Sequence, residues 1–159
     1  MPVANSDFRI EKERLPVTVT TESGERLNGE MFVQSYARRR LGKEEAGDVL
    51  NDNDPYFPLA LSDDQTVLVA KQRVRDVAVA SVAGVEAAPA NPAARPVTVE
   101  VVVAGGDAFL GEVRLEVPFE RPRLLDFLNR LQQRFVTLHT ADGIRLINSR
   151  LIERVRSLD

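Results

Sequence analysis

Asp48-Val49-Leu50-Asn51 returns as Asp126-Phe127-Leu128-Asn129, a shift of 78 positions. At the same shift Phe57 falls on Phe135, Asp64 on Asp142, Leu68 on Leu146, Val74 on Ile152 and Val77 on Val155. No gap is needed from Asp48 to Val77. Upstream, Pro16-Val17-Thr18-Val19 matches Pro96-Val97-Thr98-Val99 at a shift of 80. Leu27-Asn28-Gly29-Glu30-Met31 matches Phe109-Leu110-Gly111-Glu112-Val113 at a shift of 82. The offset changes only where loops would change length. A self-similarity of this period implies one small structural unit built twice.

The unit reads as β-structure. Val97, Val99, Val101 and Val103 alternate with Thr98, Glu100 and Val102, so one strand face is firmly apolar. Gly105-Gly106-Asp107 supplies a hairpin turn. Phe109, Val113, Leu115 and Val117 share one face of the return strand, interrupted by Gly111. A glycine inside a strand marks a sharp bend or the close approach of another backbone. The first copy repeats the device with Val17, Val19 and Thr21, a Ser23-Gly24 turn, then Leu27, Gly29, Met31 and Val33. Leu124, Leu125, Leu128 and Leu131 recur at helical spacing after Pro122. Gly47 reduces the matching segment of copy one to about a single turn. Asn51 and Asn129 suit left-handed helix ends. Three further strands follow in each copy. The spacing predicts them at 56–62, 66–71 and 74–80, and again at 135–140, 144–149 and 152–158.

The expected fold is therefore all-β with short helices, as two tandem five-stranded barrels. Residues 1–15 form an N-terminal arm, 16–81 the first barrel and 96–159 the second. Residues 82–95, rich in alanine and proline, read as a linker without a face to bury. Superposition of the barrels should place Asp48 on Asp126 and Phe57 on Phe135, in two sheets rather than one. The expected core holds Val19, Leu27, Met31, Leu50, Phe57, Leu68 and Val77, with Val99, Phe109, Val113, Leu128, Phe135, Leu146 and Val155.

A strand ending in Val-x-Val, Gly-Glu on a bent second strand, Asp-x-Leu-Asn, a Phe-led strand and a closing Ile-x-x-Val resemble small bacterial domains with an Sm-like or SH3-like barrel. The resemblance covers most of 16–80 and 96–158, and its motifs are structural. Copy one departs from it by the insert Tyr36 to Gly47 and by Pro58, which favours an edge strand or a bulge.

Composition limits the chemistry. The 159 residues include no cysteine, which excludes disulfides, thiolate metal sites and cysteine nucleophiles, and a single histidine. A net charge of -3 argues against a dedicated nucleic-acid binder. No apolar run approaches the roughly 18 residues of a membrane span. Met1 to Arg14 is charged and lacks the apolar stretch of a secretion signal, so a cytoplasmic protein is expected. His139 lies near a strand end without an obvious catalytic partner. Asp52, Asp54 and Asp63 mimic a calcium loop, but Phe57 stands where that loop needs glycine. Arg38-Arg39-Arg40 in the insert could contact an anion or nucleic acid, though Glu44, Glu45 and Asp48 follow at once.

Duplication without any duplicated chemical group points to a non-enzymatic protein with no cofactor and no bound metal. The expected partner is another protein or a second copy, with RNA or nucleotide binding through the insert or the second copy's arginines as the alternative. Val102 and Leu110 lie on the face opposite the expected core, where copy one has Thr20 or Thr21 and Asn28. They are the candidate interface.

Overall fold

A computed structural model of the chain describes residues 12–34, 44–62, 64–80, 94–115 and 123–159. Its ten strands are β1 (Lys12–Thr21), β2 (Arg26–Gln34), β3 (Tyr56–Leu61), β4 (Thr66–Ala70), β5 (Val74–Ala80), β6 (Arg95–Val103), β7 (Ala108–Leu115), β8 (Phe135–Thr140), β9 (Gly143–Asn148) and β10 (Ile152–Ser157). Two short helices, α1 (Ala46–Leu50) and α2 (Leu124–Asn129), precede β3 and β8. β1 begins ahead of the expected first barrel, and its Lys12 to Leu15 pair with β2.

All ten strands belong to one antiparallel sheet, in the order β10-β6-β7-β8-β9-β5-β1-β2-β3-β4. This departs from the expected pair of separate sheets. The reason lies at β5 and β9, which pair directly over Asp76↔Ile147 to Ala80↔Gly143. Each would otherwise present a row of unpaired backbone groups, and joining them removes two edges.

The order within each half is the same: β5-β1-β2-β3-β4 in the first and β10-β6-β7-β8-β9 in the second. Local hydrogen bonds recur as well. Glu22 N donates to Arg73 O at 2.7 Å, and Ala104 N donates to Leu151 O at 2.9 Å. Lys71 N donates to Pro55 O at 2.9 Å, and Ser149 N donates to Arg134 O at 2.8 Å. A Cβ on Gly29 would lie 2.5 Å from Ala60 O, and one on Gly111 would lie 2.5 Å from His139 O. Both glycines let the backbone of the next strand cross at close range, as their place inside apolar strands implied.

The ladders also correct the sequence register in two places. Val17 lies opposite Gly29 and Val99 opposite Gly111, so β1 and β6 correspond at a shift of 82 rather than 80. An even slip leaves every side chain on its expected face. Phe57 pairs with Val69, whereas Val136 pairs with Ile147. Phe57 therefore corresponds to Val136, and Phe135 points to the opposite face of its sheet.

That single-residue slip shapes the core. One cluster joins Val17, Val19, Met31, Leu50, Phe57, Leu59, Val74 and Val77 with Phe135 and Leu146 from the second half. The other joins Val97, Val99, Val101, Val103, Val113, Leu115, Leu138 and Ile147. The β8–β9 hairpin is thus a shared wall with one face in each cluster. Leu68, expected in the core, is 72% exposed, because β4 lies at the end of the sheet with nothing packed outside it among the described residues. Leu27, Phe109, Leu128 and Val155 are only partly buried. α2 buries no residue, and Leu125 faces outward. Neither helix ends left-handed: the terminal positions are Asn51 with φ -96° and Arg130 with φ -102°. Pro58 sits in an interior strand, but only β4 is paired with it there, since β2 engages β3 from Leu59 onward.

Candidate functional site

A cluster of charged side chains lies where the two halves join. Alternation along β5 and β9 sends Val77 and Leu146 to the first core cluster and Asp76, Ala78 and Arg145 to the other face. Thr18 and Thr20, opposite Ala78 and Asp76 on β1, complete that face. The β1–β5 register slips between Thr20 and Thr21, leaving Arg75 as the extra residue of a bulge. A bulge re-aims its side chain, and here two sequence neighbours meet.

Asp76 is fully buried and accepts from Arg75 Nε at 2.9 Å and Arg145 Nη1 at 2.6 Å. Arg75 Nη1 also donates to Asp107 at 2.8 Å, from the turn between β6 and β7. Burial opposes the Arg75 charge, but the bonds and attraction from Asp76 and Asp107 outweigh it and hold the guanidinium above its ordinary pKa. The Arg145 guanidinium stacks over the Phe109 ring at 4.2 Å, and Arg75 lies 5.8 Å from the same ring. Arg75, Arg145, Asp107 and Phe109, with Thr18, Thr20 and Arg26, line an open cleft of about 380 Å³. The buried Asp76 carboxylate behind it serves two arginines, so the arrangement ties the halves together.

Polar groups fasten the seam at its other side too. Phe135 N donates to Asn51 Oδ1 at 2.8 Å, and Asn51 Nδ2 donates back to Phe135 O at 3.3 Å. Asn148 Nδ2 donates to Val74 O at 2.8 Å, and Arg150 Nη2 donates to Gln72 O at 2.8 Å. Lys71, fully buried, donates to Val49 O and Asp52 Oδ1, each at 2.6 Å, and so pins α1 to the turn after β4. Asp52, the first acidic residue of the calcium-loop mimic, is occupied by that ammonium.

His139 pairs across the ladder with Glu112. Burial and the nearby Arg114 lower its pKa, against weaker opposing pulls from Glu112 and Glu45. Among the described residues no group of three or more His, Asp or Glu side chains could hold a metal ion, and no helix is long and apolar enough to cross a membrane.

The structure separates the two candidate interface residues. Val102 is 4% exposed and covered within the chain, while Leu110 is 61% exposed. Arg38, Arg39 and Arg40 lie outside the described residues. Sequence reasoning missed Arg75 and Asp76, and took Arg145 only as one of the second copy's arginines. The available signal was an adjacent Arg-Asp pair inside an otherwise apolar strand.

No family model matches the chain, and no curated protein or solved structure matches it either.

Proposed function

We propose that this chain is a non-enzymatic scaffold built from two tandem Sm-like or SH3-like barrel units, which binds protein through the open edges of its sheet. The observation that carries this reading is the distribution of edges. Fusion of the two halves covers β5 and β9, yet β4 and β10 stay open at the two ends among the described residues. β4, Thr66-Val67-Leu68-Val69-Ala70, carries no charge, and its Leu68 is among the most exposed large apolar residues described. An uncharged apolar edge strand is a template for strand addition and a hazard if left uncovered. The recurrence of strand order, local hydrogen bonds and close-approach glycines supports the repeat reading. The consumption of the seam's charges in internal pairs supports a role without catalysis.

Affinity capture from the native cell tests it, using the full chain and a Leu68→Pro variant, which removes an N–H that β4 presents to its open side. A protein retained by the first and lost by the second is expected. Capture of nuclease-sensitive RNA instead, unaffected by the proline, would favour the arginine-based alternative and overturn the proposal.

A further inference from the structure

We infer that the occupant of these edges is a second copy of this chain, joined head to tail with β4 of one molecule against β10 of the next. The inference rests on the reading above and adds the partner, the register and the residues. Its basis is that the chain already contains one such joint. Strand β9 of the second half pairs with β5 of the first. By strand order, β9 corresponds to β4 and β5 to β10. The two open edges are thus the same two kinds of edge that pair at the internal seam.

Burial follows the same logic on both sides. On β8 and β9, Phe135 and Leu146 are 0% exposed, packed into the first core cluster. Their ladder counterparts on β3 and β4 are Tyr56 and Leu68, exposed by 57% and 72%. On the receiving side Leu50, Val74 and Val77 are fully buried beneath Phe135 and Leu146. Their counterparts Leu128, Ile152 and Val155 are only half-buried. Asn51 grips the Phe135 backbone, while its counterpart Asn129 is exposed. Among the described residues, one end of the sheet carries a knob without a socket, and the other a socket without a knob.

Copying the internal register Val77↔Leu146 and Ala78↔Arg145 onto the open edges gives Val155 opposite Leu68 and Arg156 opposite Val67. The charged set at the seam has no full counterpart here, since Arg154 takes the place of Asp76 and Val67 that of Arg145. The intermolecular joint therefore relies on apolar burial and strand hydrogen bonds, and its strength should change little with salt. Such a contact is heterologous, so it closes into a ring or continues as a filament according to the rotation per chain.

The absence of native cysteine permits a direct trap. Chains carrying Leu68→Cys, mixed with chains carrying Val155→Cys under mild oxidation, should give a disulfide-linked dimer. Leu68→Cys mixed with Leu158→Cys, three positions out of register, should react roughly tenfold or more slowly, because a disulfide needs Cα atoms within about 7 Å. In parallel, sedimentation of the unmodified full chain should show species of at least twice the monomer mass, with Leu68→Asp reducing them to monomer. Leu68 is exposed, so that variant keeps its fold, which circular dichroism verifies. A chain that stays monomeric at every concentration, or a trap indifferent to register, overturns the inference. If such a monomer still captures a different protein through β4, the scaffold reading stands without it. If nothing binds through either edge, both fall.

Discussion

Leu146 and Leu68 hold corresponding places on β9 and β4, and one is wholly buried while the other is 72% exposed. The difference does not come from either residue's own half. Both side chains point away from the core cluster beneath their hairpin, and only Leu146 finds a second half waiting there. The seam between the halves is consequently part of the first core, and perturbing it should weaken the first half even when the substituted residue lies in the second.

Phe135→Ala tests that coupling. Phe135 is fully buried among Leu50, Phe57, Val74 and Val77. Its loss should cost about 3–5 kcal/mol. Urea denaturation is the measurement, and a midpoint equal to the parent's would show that the seam is not a packed core.

Asp76→Asn removes the carboxylate shared by Arg75 and Arg145 without changing its size. Two guanidinium groups then face a neutral amide in a largely buried setting. A loss of about 3–5 kcal/mol is expected for breaking such a pair from one side. Adding Arg145→Met should recover part of it, since one uncompensated charge leaves with the side chain. No recovery in denaturation experiments would mean that the arginine's packing on Phe109 outweighs its charge.

How much of this was legible in the residues varies with the physical signal. The valine alternation from Val97 to Val103 and the glycines at 29 and 111 identified the strands and their close crossings, because period and missing Cβ are local properties. The one-residue difference between β3 and β8 left no trace. Phe57 and Phe135 are identical, and Val136 beside Phe135 is equally apolar, so either register buries a hydrophobic face. Leu68 was expected inside because Leu146 matched it. Sequence similarity shows that two positions are alike, not which neighbour covers them. Asp76 escaped notice because one of its two partners, Arg145, lies 69 positions away on β9, and the other, the adjacent Arg75, turns toward it only through a bulge.

His139 sets a pH dependence with a definite sign. Burial and Arg114 hold its pKa below the ordinary 6.5, so the folded chain binds this proton less readily than the unfolded chain. Well above pH 6.5 the ring is neutral in both states and contributes no slope. As pH falls through 6.5 the unfolded chain protonates first and stability drops, until the folded ring also takes up its proton. His139→Gln should remove that part of the decline between pH 7 and pH 5 in denaturation curves. Parallel curves for the two proteins would contradict the assignment.

Amide hydrogen exchange on β4 and β10 across a dilution series most directly tests whether these edges are joined between chains. Thr66 to Ala70 and Ile152 to Ser157 should gain protection together as concentration rises, while β1 and β6, interior to the sheet, keep the same protection throughout. Exchange at β4 and β10 that is fast and independent of concentration would contradict the account.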